Sequence, residues 1–234
     1  MKRQQSGFTL VEIAIVLVII GLLLGGILKG QEMITQAKIK NVVSDFNGIA
    51  SALYGYQDRY RALPGDDSNA VARWTLTAGA CSGTAGNGVI EGVYNSPFGT
   101  PTEANCFWQH LRYAGFVAGQ GAAPAGYQQP TNAATGMIGV QTGNGAAAPT
   151  AVMAPAAGGG GFSGLMMCST GLPDKIAIAV DTQMDDGLNF SGTLRGQAQT
   201  APNPAINATV TNTVGSADYY AETGSNVYTI CKTM

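Results

Sequence analysis

From Phe8 to Leu28 the chain holds one ionisable side chain, Glu12, in an otherwise apolar run. A stretch of about 20 apolar residues is long enough to cross the hydrocarbon core of a bilayer as a helix. A removable secretory signal has an apolar region of roughly 7–15 residues closed by a small-residue cleavage site, and this run continues past that length. Lys2 and Arg3 stand on its short N-terminal side, so the positive-inside tendency keeps that end in the cytoplasm and sends the rest outward. A carboxylate among lipid tails costs on the order of 3 kcal/mol unless it finds a partner. Glu12 is therefore a candidate functional residue.

Beyond Leu28 the apolar residues Ile34, Ala37, Ile39, Val42, Val43, Phe46, Ile49, Ala50, Leu53 and Tyr54 recur at helical spacing among Lys38, Lys40, Asp45 and Asp58. The pattern predicts one helix from Phe8 to about Tyr60, roughly 75–80 Å long. Its first half is apolar all round and its second half amphipathic. Gly21, Gly25, Gly26 and Gly30 fall in the apolar half, where each costs about 1 kcal/mol of helix propensity. They mark either a bend or close packing of helices through small residues. Pro64 and Gly65 mark the end of the helix.

The string Lys2-Arg3-Gln4-Gln5-Ser6-Gly7-Phe8-Thr9-Leu10-Val11-Glu12, followed by Ile13-Ala14-Ile15-Val16-Leu17, resembles the class III signal of type IV pilins and of the pseudopilins of type II secretion. The resemblance implies that a prepilin peptidase cuts after Gly7 and N-methylates Phe8. It also implies that Glu12 pairs with the N-terminal amine of a neighbouring subunit in a filament. Physically, a buried carboxylate and a new α-ammonium are each costly alone and neutralise one another in a low-dielectric bundle. Further on, Leu63-Pro64-Gly65-Asp66, Phe107-Trp108-Gln109-His110-Leu111 and Asp185-Asp186-Gly187 are similar to segments found in a subset of proteobacterial pilin-like proteins. The strong part of the match covers about a quarter of the chain.

Removing residues 1–7 leaves ten basic against fourteen acidic side chains, a net charge of −4. No basic run or basic–aromatic stripe follows Arg73, so no broad nucleic-acid surface is encoded. Residues 61–234 suffice for one exported domain. With 11% charged residues and 33 glycines, much of its surface must be Thr, Asn, Gln, Ser, Ala and Gly, which suits subunits packed side by side. Alternation with Thr and Val enrichment predicts short strands at 177–181, 193–195, 208–214 and 226–231. A short helix is expected at 109–117, and long loops over the Gly-, Ala- and Pro-rich stretch 118–164. The expected architecture, mostly from the resemblance, is α+β: a long N-terminal helix packed on a small antiparallel sheet.

Cys81, Cys106, Cys168 and Cys231 all lie in the part expected to leave the cytoplasm, so two disulfides are expected. Of three possible pairings, Cys81 with Cys106 and Cys168 with Cys231 is favoured: the first closes a local loop and the second ties the C-terminal end down. Zinc is disfavoured, since no CxxC spacing occurs and His110 is the sole histidine. Asp181, Asp185 and Asp186 place three carboxylates within six residues. They are weak calcium candidates, yet their spacing departs from an EF-hand loop and an Asp-Asp-Gly turn accounts for them without metal. An Asn87-Gly88 turn is read as a hairpin. His110 sits in an apolar patch with Trp108, Leu111, Tyr113 and Phe116, which favours packing over catalysis. The glycines at 158–161 lack the Lys-Ser or Lys-Thr of a nucleotide loop.

The expectation is thus a non-enzymatic filament subunit: membrane-inserted at first, cut by the prepilin peptidase, then built with copies of itself or other pilins by an inner-membrane assembly platform. No cofactor is required. The final location is a cell-surface pilus or, for a type II secretion pseudopilin, the periplasm. A membrane-anchored periplasmic protein that never polymerises is the third alternative.

Overall fold

The computed structural model describes residues 9–76, 81–156, 158–211 and 219–234. Two compact units divide the chain, Met1–Lys38 and Ile39–Met234. The first holds the apolar part of helix α1, which as a whole runs Leu10–Tyr60. Residues 10–29 are exposed on every side. By length and composition this helix is apolar enough to cross a membrane.

In the second unit α1 is amphipathic. Ile39, Val42, Phe46, Ile49, Leu53 and Tyr56 are buried, three or four residues apart, while Lys40, Asn41, Ser44, Asn47 and Ser51 face solvent. The helix stops at Arg61, whose backbone is left-handed (φ 56°) and whose N–H donates to the Gln57 carbonyl at 2.8 Å. Pro64 cannot extend it. Among the described residues three further α-helices follow: α2 (Ala70–Trp74), α3 (Glu103–Tyr113) and α4 (Asp174–Met184).

Among the described residues six strands complete the unit: β1 (Ile138–Thr142), β2 (Ala154–Pro155), β3 (Leu165–Pro173), β4 (Leu194–Ala198), β5 (Thr209–Val210) and β6 (Val227–Thr233). Four of them form an antiparallel sheet in the order β1-β3-β6-β4, and β2 pairs with β5 in parallel. Alternation along the strands feeds two cores. Met167, Leu172, Tyr228 and Ile230 point into a core shared with α1, α3 and α4. Met166, Cys168 and Cys231 point the other way, against Tyr94, Val152, Met153, Phe162 and Val210. The sheet is covered on both faces, and the fold is α+β as expected.

Several local expectations need correction. Residues 177–181 lie inside helix α4, not in a strand. Ile176, Ile178 and Val180 mimic strand alternation, but burial falls on Ile176, Ala177, Val180 and Asp181, a helical stripe, and Pro173 with Asp174 supplies the N-terminus of a helix. The short helix begins earlier than read, at Glu103, where Thr102 accepts from the Asn105 N–H as N-cap. The stretch 118–164 contains β1, β2 and a 3₁₀ turn, Ala125–Tyr127. Of the strand expected at 208–214, Thr209–Val210 is observed, and 212–214 lie outside the described residues. Strands at 193–195 and 226–231 match β4 and β6 to within a residue or two at each start.

Candidate functional site

At the head of α1 the sequence Thr9-x-x-Glu12 forms a reciprocal cap. The Thr9 N–H and Oγ1 each donate to Glu12 Oε2 at 2.8 Å, and the Glu12 N–H donates back to Thr9 Oγ1 at 3.3 Å. This is the capping box, which satisfies backbone donors that a helix start leaves open. Both side-chain bonds fall on one oxygen, and no described residue hydrogen-bonds Oε1. The carboxylate is held in place with one oxygen available, at the start of a helix whose residues 13–28 are apolar and exposed. Thr9 escaped the sequence reading although its signal, a threonine three residues before a glutamate, was present. Gly7 and Phe8, the expected processing pair, lie outside the described residues.

The segments after α1 form a second constellation. The Gly65 N–H donates to His110 Nδ1 at 2.9 Å, joining the Leu63-Pro64-Gly65-Asp66 segment to the Phe107-Trp108-Gln109-His110-Leu111 helix. Gly65 has φ 94°, and a Cβ there would lie 2.5 Å from the Glu103 carbonyl, so the chain passes too close to α3 for any side chain. Because Nδ1 accepts, the proton sits on Nε2, which faces Cys81 Sγ at 3.7 Å. Burial pushes His110 down to about 4, with Asp67 pulling the other way, so it is neutral. That environment makes it a packing residue, as its apolar neighbours implied.

Asp66 and Asp67 divide the remaining work. Asp66 accepts from the N–H groups of Gly86, Asn87 and Gly88, fixing the Asn87-Gly88 loop. Asp67 accepts from Tyr56 OH on α1 at 2.7 Å and pairs with Arg73 on α2 at 2.5 Å. The Arg73 guanidinium in turn lies 4.2 Å over the Tyr60 ring. Glu103, nearly fully buried, accepts from the Glu91 N–H at 2.8 Å. Burial pushes it up to about 7, against the lowering from that hydrogen bond and aided by Asp66 and Glu91.

The structure joins Cys81 to Cys106 and Cys168 to Cys231, the pairs favoured from the sequence. Cys168 and Cys231 are direct cross-strand partners in β3 and β6. Asp181, Asp185 and Asp186 do come together, with a ligand atom of each within 4.8 Å of the others. That spacing lets one cation touch all three. Four of their six oxygens already accept loop hydrogen bonds, however. Gly187 N–H reaches Asp181 Oδ1, Thr193 and Leu194 N–H reach Asp185 Oδ2, and Leu188 N–H and Ser191 Oγ reach the two Asp186 oxygens. These bonds tie the three carboxylates to the turn that follows α4. Asp181 is fully buried against Tyr220 and is pushed up to about 7, chiefly by that burial.

Residues 2–28 match the family described as the prokaryotic N-terminal methylation motif, the signature of type IV pilins and pseudopilins. Among curated proteins and solved structures none matches the chain significantly. The motif supports processing by a prepilin peptidase as a pilin-like or pseudopilin-like substrate, and with the exposed apolar helix it supports membrane anchoring before assembly.

Proposed function

We propose that this chain is a structural subunit of a type IV pilus, major or minor. It is cut after Gly7, methylated on Phe8, and assembled through α1. The observation that carries this reading is the capped carboxylate of Glu12 at the head of an exposed apolar helix. Thr9 holds one oxygen, and the other accepts the α-ammonium that cleavage creates on a neighbouring copy. In hydrocarbon each charge alone is expensive, so pairing selects the register in which the two meet. The uncharged surface of the exported domain, with two disulfides, favours display outside the cell. Extension is driven by a separate motor.

Electron microscopy of sheared filaments, with mass spectrometry of the N-terminus, tests the proposal. The expected result is filaments whose subunits begin at methylated Phe8, and loss of incorporation in Glu12→Ala. Normal filaments from that variant would overturn the pairing. Immunogold labelling confined to the periplasm would assign the subunit to a type II secretion pseudopilus instead, and a chain recovered only as monomers would make it a membrane-anchored periplasmic protein.

A further inference from the structure

The end of α1 borders a polar cleft of about 520 Å³, whose walls include Gln57, Tyr60, Arg61, Asp66, Ser68 and Asn69. We infer that this cleft binds acidic carbohydrate, with Arg61 receiving the carboxylate of a uronic-acid residue. The inference is independent of filament assembly.

The arginines of this acidic protein are unevenly spent. Arg112 donates to the carbonyls of Ala118, Gly126 and Gln128, Arg195 to those of Met153 and Gly160, and Arg73 is locked to Asp67. Arg59 and Arg61 carry no such burden. Arg59 leans on the Tyr60 ring at 5.2 Å, and among the described residues Arg61 forms an ion pair with Asp58 alone, at 3.5 Å, with both side chains more than 80% exposed. Water and salt screen that pair. One cation in the last turn is accounted for by the partial negative charge of the helix end. A second is not, least of all at a left-handed backbone position (φ 56°), where glycine is the usual residue and any side chain is strained. Strain of that kind persists where the side chain serves a purpose.

The cleft supplies the rest of a sugar site. Gln57 and Asn69 offer amides and Ser68 a hydroxyl, groups that both donate to and accept from sugar hydroxyls. Asp66, on the same wall, is buried and its carboxylate oxygens accept from three backbone N–H groups, which hold them toward the loop at 86–88. A planar guanidinium at the rim suits a carboxylate through two parallel hydrogen bonds.

The test is calorimetric titration of the full chain in detergent with a tetramer of galacturonic acid and, separately, with the neutral tetramer maltotetraose. The acidic sugar should bind, weaken with ionic strength, and weaken about tenfold in Arg61→Gly, the change expected from losing one charge-assisted contact. The neutral sugar should bind far more weakly. Glycine suits the backbone at 61, so the variant remains folded and circular dichroism verifies it. Equal binding of the two sugars, no binding of the acidic one, or unchanged binding in Arg61→Gly would each overturn the inference.

Discussion

Thr9 and Glu12 close a capping box within four residues of sequence, and His110, Glu103 and Asp181 are set by partners far along the chain. Among the latter, the histidine and the two acids answer oppositely to pH. His110 has a folded value near 4 against an ordinary 6.5, so the unfolded chain takes up a proton that the folded one refuses. Its contribution is complete above about 6.5 and is lost as pH falls toward 4. Glu103 and Asp181, both near 7 when folded, act oppositely: the folded protein holds protons that the unfolded one has released, and stability falls as pH rises toward and through about 7. Glu103→Gln keeps an acceptor for the Glu91 N–H and removes the titration. Thermal unfolding across this range should show the variant gaining on the parent above pH 7 and showing no such gain near pH 5.

At the scale of elements, α3 is seated by a close approach of Gly65 to the Glu103 carbonyl. Gly65→Ala combines a forbidden φ with a collision and should cost at least about 2 kcal/mol in denaturant unfolding, more than a surface substitution. The sheet is pinned centrally. Cys168 and Cys231 close a 63-residue separation between adjacent strands, and chain entropy assigns such a link about 4 kcal/mol. Replacing both by Ala should lower stability by roughly 2–4 kcal/mol under oxidising conditions, and reductant should narrow the gap between parent and variant. Helix α4 teaches how a short run misleads. Alternating Ile176, Ile178 and Val180 fit a strand locally, and only contact with β3, β4 and β6 shows that Ala177 and Asp181 share the buried side.

For the whole molecule, one measurement separates a braced turn from a cation site. If Asp181, Asp185 and Asp186 serve to hold the loop after α4, millimolar calcium leaves the melting temperature of the full chain unchanged, whereas a calcium-dependent rise would assign them to a metal. The sequence by itself determined the long helix and its change from all-round apolar to amphipathic, because a continuous apolar run followed by a 3.6-residue period needs no tertiary context to be read. It also determined the candidate role of Glu12, since the cost of a charge among apolar residues is local. What only the tertiary structure decided is where residues distant in sequence meet: Gly65 on His110, Asp66 under the loop at 86–88, Asp67 between α1 and α2, and the second core on the outer face of the sheet. Those contacts depend on packing and register, which a glycine- and alanine-rich sequence encodes weakly because its side chains carry little directional information about their partners.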